Sequence, residues 1–128
     1  MRTTALFAII LPLSALALAS CSATRPAPMN TENAVVHQAT DTDKAFTHSK
    51  EPLSGTSVTL WVNGLGCPQC ASNVDMQMKR MKSVVAVRTD LSTGKVHITL
   101  TGKGNPSPHI LSERTLDAGF TLVKIEQP

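Results

Sequence analysis

Apolar and polar residues alternate at Val58, Leu60 and Val62 against Thr59, Trp61 and Asn63, the period-two mark of a half-buried strand. A Gly-rich turn follows, Gly64-Leu65-Gly66. From the second cysteine of this turn the period changes. Ala71, Val74, Met78 and Met81 recur at spacings of three and four, which predicts one apolar stripe along a helix. Lys79, Arg80 and Lys82 fall in its last turn, where they oppose the negative helix end. Val84, Val85 and Val87 open a second strand running to about residue 91. Ser92-Thr93-Gly94 makes a turn, and Val96, Ile98 and Leu100 make a third strand, so the second and third strands form a hairpin. After a loop at 101–105, Ser107-Pro108 reads as N-cap and first residue of a short second helix over 108–118. Gly119 stops it, and residues 121–125 form a last strand.

The predicted order is β-α-β-β-α-β, the split βαβ arrangement. It defines an α+β, ferredoxin-like βαββαβ sandwich, with both helices on one face of a four-stranded antiparallel sheet. His97 and Trp61 belong to the opposite, helix-free face, and Trp61 is the better candidate there for a partner contact. On the second helix Leu111, Thr115 and Ala118 share a face, whereas Leu116 points elsewhere. The folded domain spans 55–128, and no internal repeat or second domain is visible.

The chain ahead of this domain divides in two. Arg2 gives a positive start, residues 5–18 form an apolar run too short to span a bilayer comfortably, and Leu18-Ala19-Ser20-Cys21 closes it. This resembles the lipobox of bacterial lipoproteins, with 1–20 as signal peptide. The resemblance implies acylation of Cys21, which becomes the first mature residue; several acyl chains anchor a protein stably where one binds only marginally. Ser22 stands where Asp would favour inner-membrane retention, which implies a cell-envelope location at the outer membrane, facing the periplasm. Residues 21–54 are rich in Thr, Ala, Pro and Asn, with no sustained apolar period and Phe46 as the only aromatic residue. Such a composition predicts a lipidated N-terminus and flexible tether, with His37 and His48 as solvated side chains.

Charge excludes one class of partner. The formal net charge is only +3, and the chain contains no tyrosine, so neither the basic footprint nor the stacking platform of a nucleic-acid binder is present.

The chemistry concentrates at Cys67-Pro68-Gln69-Cys70. A helix N-terminus offers free N–H groups and a partial positive charge, so both thiols are expected to favour the thiolate. Two adjacent thiolates form a ligand pair for a soft metal ion. In an exported protein the same pair is also open to a redox disulfide or a structural disulfide. The Cys-Pro-Gln-Cys spacing is similar to the glutaredoxin motif, but thioredoxin-like folds need a later cis-proline beside the site. Here Pro106 and Pro108 lie in a polar loop that starts a helix.

Over 57–126 the chain resembles the heavy-metal-associated (HMA) domain family of copper chaperones, transport-ATPase modules and periplasmic mercury-binding proteins. The family motif Gly-Met-Thr-Cys-x-x-Cys meets Gly64-Leu65-Gly66-Cys67-Pro68-Gln69-Cys70, the apolar frame continues through Val74, Met78, Met81, Val84 and Val87, and Ala118-Gly119-Phe120 matches its Ala-Gly-Tyr/Phe signature. The resemblance implies a non-enzymatic carrier with Cys67 and Cys70 as metal ligands and a protein donor or acceptor; a two-thiolate set suits Cu(I) first and Hg(II) second, since both accept two ligands whereas Zn(II) normally takes four. It places Leu65 as the core residue beneath the loop, Gly66 as a more flexible substitute for Thr, and Phe120 near the loop. Ser83 stands where Gly is common. Asp75 and Met76 lie beyond the cysteines and read as a solvated, helix-stabilising residue and a partly exposed one.

Overall fold

The computed structural model describes residues 34–128. The lipobox, Cys21 and the first part of the expected tether lie outside the described residues.

The elements run α1 (Asp41–Thr47), β1 (Ser57–Asn63), α2 (Pro68–Lys79), β2 (Val84–Asp90), β3 (Lys95–Leu100), α3 (Pro108–Asp117) and β4 (Thr121–Glu126). The strands form one sheet in the order β2-β3-β1-β4, and each neighbouring pair is antiparallel. From β1 onward this is the expected ferredoxin-like βαββαβ fold.

Val58, Leu60 and Val62 of β1 and Val96, Ile98 and Leu100 of β3 are buried and supply one wall of the core. The facing wall comes from Cys70, Val74 and Met78 of α2 and from Leu111 of α3 with Ala118 at its C-cap. Removing this apolar surface from water is the main force holding the layers together. Thr115 is fully buried on α3 between Leu111 and Ala118, and its hydroxyl donates to the Leu111 carbonyl at 2.7 Å. That bond satisfies the one polar group on an otherwise apolar face. Leu116 is 70 % exposed, as its position on the helix requires.

Two boundaries differ from the periodicity. The helix α2 begins at Pro68 rather than at the second cysteine, because Cys67 caps it and proline suits the first helical position. Met81 lies past the helix end but still packs against the core.

The larger difference is upstream. The segment expected as a tether through residue 54 is built onto the domain from Ala34 onward. A capping box closes α1: the Thr40 hydroxyl accepts from the Asp43 N–H, and the Asp43 carboxylate accepts from the Thr40 N–H. The helix packs against β4 and α3. Beyond it, His109 N–H donates to Ser49 O, Leu53 N–H donates to Pro106 O, and the Asn105 amide donates to Leu53 O and Gly55 O. Leu53 joins the main core. The composition of this stretch hides it, because Thr47 and Leu53 are its only buried residues, and most of its hold is hydrogen bonding to its main chain.

Each outer strand carries one irregularity. In β4 the register to β1 steps from Lys124 to Leu122, passing over Val123, which is buried but stands outside the main core. In β2 the register to β3 steps from Val84 to Ala86, leaving Val85 61 % exposed.

Candidate metal centre

The end of β1 delivers the chain into the cysteine loop. Gly64 takes φ +96°, a conformation that side-chain-bearing residues rarely adopt. A Cβ there would also stand 3.2 Å from the Phe120 ring. Phe120 is therefore seated against the start of the loop. Leu65 is fully buried beneath and ties the loop to the core.

Cys67 is the N-cap of α2, and its Sγ accepts the Cys70 N–H at 3.1 Å. A sulfur in this place meets a free backbone donor and the positive end of the helix dipole, and both favour negative charge on it. Cys67 is half-buried and Cys70 is buried. The two sulfurs are bonded to each other as a disulfide, across a Cα–Cα distance of 5.1 Å. In this state neither thiol titrates and neither ligates; a two-electron reduction frees both. Among the described residues no group of three or more His, Cys, Asp or Glu side chains stands at metal-binding spacing. The loop thus contributes a two-sulfur set.

Gly66 behaves differently from its expectation. Its φ is not left-handed, so the residue does not exploit glycine's freedom. Its bareness makes room: a Cβ on Gly66 would stand 3.2 Å from Ala34 N and 3.4 Å from Ala34 Cβ.

The other singled-out residues separate cleanly. Asp75 pairs with Lys79 at 3.0 Å along α2, and Met76 points outward at 53 % exposure. His97 lies on the helix-free face, its Nδ1 3.0 Å from the Thr59 hydroxyl. Trp61 shares that face but is occupied by its own chain. Lys95 Nζ stands 4.1 Å from its ring centroid, Lys124 Nζ 5.3 Å, and the His37 ring meets it edge to face at 4.8 Å. The indole N–H donates to Glu126 at 2.9 Å. The Lys124 hydrogen bond, and then that indole bond, hold the Glu126 carboxyl below the usual carboxylate range, and the hydrogen bond and charge of Glu126 raise Lys124.

His37 is thus not a solvated side chain. Its Nε2 is buried without a partner, and its main chain is bonded to Asn63. His48 is exposed and caps α1. Both histidines line a cavity of about 400 Å³ between α1, α3 and β4, which Phe120 also lines. The involvement of Asn63 was missed from sequence, since it does not belong to the cysteine motif; the Thr40–Asp43 capping box was the one local signal that the upstream chain is ordered.

Fold and loop together define a class: a ferredoxin-like βαββαβ domain, the fold of the heavy-metal-associated domains, with a two-cysteine loop between its first sheet strand and the following helix. No family model and no curated protein matches the chain. Among solved structures it is similar to the CopZ metallochaperone, at 20 % identity and TM-score 0.50, covering 53 % of this chain and 100 % of that one. It is likewise similar to a domain of the yeast copper transporter solved in apo and Cu(I)-loaded states, at 23 % identity and TM-score 0.50, covering 57 % and 97 %. These likenesses establish the fold.

Proposed function

We propose that this protein binds a soft metal ion as cargo through Cys67 and Cys70 and passes it to a partner by thiolate exchange, with Cu(I) as the favoured ion and Hg(II) second. The observation that carries this reading is the position of Cys67. Its sulfur caps a helix and accepts a backbone N–H next to a second cysteine on the same loop. Soft thiolates select soft ions, and a two-sulfur set suits ions that accept two ligands, whereas Zn(II) is almost always four-coordinate in its structural sites. A metallochaperone and a copper-transporter domain solved with Cu(I) among the structures of similar fold support this reading. In transfer, an acceptor thiolate forms a third bond to the ion, and one of Cys67 or Cys70 then leaves as thiolate. No electrons change hands. Acylation of Cys21 would keep the carrier at the outer membrane, facing the periplasm.

The test is Cu(I) binding by the reduced full chain against a competing chelator under strong reductant. The expected result is about one ion per chain, with steep weakening in Cys67→Ser and in Cys70→Ser, since a hydroxyl is a harder ligand than a thiolate. Unchanged affinity in the double serine variant overturns the site.

The Cys67–Cys70 bond favours a second reading, a thiol–disulfide oxidoreductase. Against it, thioredoxin-like CxxC sites accompany βαβ units, whereas all neighbouring strands here are antiparallel. Turnover of substrate disulfides, together with a high reduction potential for the pair, would favour this reading over metal transfer.

A further inference from the structure

The residues ahead of α1 lie on the cysteine loop along a surface shaped to receive them. Asn63, the last residue of β1, takes both main-chain polar groups of His37: the His37 N–H donates to Oδ1 at 2.6 Å, and Nδ2 donates to the His37 carbonyl at 3.0 Å. The His37 ring leans on Trp61 and passes over Gly94, where a Cβ would stand 2.9 Å from Nε2. Three residues upstream, Ala34 rests on Gly66, immediately before Cys67. Both landing points are glycines, and at Gly66 the missing side chain serves space alone.

The hold is local. It consists of one side-chain clamp, one aromatic edge and two close approaches to glycines, by the Ala34 main chain at Gly66 and by the His37 ring at Gly94, while Val36 between them is 71 % exposed. Contacts this few let a segment open without unfolding the sheet beneath.

We propose that residues 34–40 form a strap that selects which reactants reach Cys67 and Cys70. Closed, it flanks the loop on the Gly66 side and admits small ligands. A protein-sized acceptor needs the strap released from Asn63. The cargo in this inference rests on the metal-transfer reading; the steric selection concerns the thiols themselves.

The test uses the full chain without metal, reduced with a phosphine that is removed under anaerobic conditions before alkylation. Cys67 and Cys70 are alkylated with a small maleimide and with a maleimide carrying a protein-sized polymer, read as loss of the unmodified peptide containing both residues. Asn63→Ala and His37→Ala should each speed the large reagent about tenfold, the shift expected from losing a partly exposed hydrogen bond or an equivalent contact, and leave the small reagent's rate within about twofold. Equal large-reagent rates in the native chain and both variants overturn the strap. Amide exchange of the His37 N–H in the native chain is a second measurement that needs no variant. Protection well below that of the β1 amides, but above that of an open chain, is expected; exchange only by global unfolding, or no protection at all, overturns the proposal. Because no metal enters these measurements, a chain that fails to bind Cu(I) sinks the cargo assignment alone, and equal alkylation rates sink the strap alone.

Discussion

At the scale of single residues, Glu126 shows how the helix-free face is held. Its carboxylate accepts from Lys124 and from the Trp61 indole, and these bonds keep it ionised below the usual carboxylate range. A carboxylate depressed on folding contributes stability that is fully present above its unfolded value and is lost as pH falls through its folded value. Asp43 and Asp90, lowered by their bonds to Thr40 and to Ser92 and Thr93, add to the same trend. The melting temperature should therefore drop on acidification through and below the ordinary carboxylate range, and Glu126→Gln should make that drop shallower. An identical acid profile in the variant would show that these bonds do not couple to folding. Lys124 has the opposite sign: its raised value contributes below the unfolded value and is lost as pH rises through the folded one. Residue roles were legible where the motif is local. Leu65 is buried beneath the loop, Cys67 caps α2 and Phe120 packs against Gly64. Gly66 was legible as a departure, but its steric role depends on Ala34, far upstream, and no local pattern encodes that meeting.

At the scale of elements, periodicity located the strands, α2 and α3, because each buries a regular stripe. It did not find α1, which has seven residues and one buried side chain, Thr47. Isolated helices this short are not stable in water, so α1 depends on its capping box and on β4 and α3. Removing the cap with Thr40→Ala should cost about 1 kcal/mol of local stability. The expected signature is faster amide exchange across Asp41–Thr47 with the β1 and β3 amides unchanged. If the sheet amides accelerate equally, α1 and the sheet unfold as one unit.

At the scale of the whole molecule, the folded unit reaches upstream of the βαββαβ frame. Its upstream limb is fastened at His37, Ser49, Leu53 and Gly55. Mild proteolysis should leave the peptide bonds from Asp41 to Gly55 intact under conditions that the sheet survives, even though the composition of that stretch suggests easy cleavage. Cutting there first, with the sheet intact, would show the limb to be detached in solution. The two flanks of the sheet have a consequence for molecules held close together. On one flank α1 sits against β4; on the other, β2 is interrupted at Val85. An open flank of regular strand is a template onto which another chain can add its own strand and begin an aggregate, and covering helices and bulges are the devices that prevent it. With α1 against one border and a bulge at the start of the other, strand addition is disfavoured at both edges of the sheet.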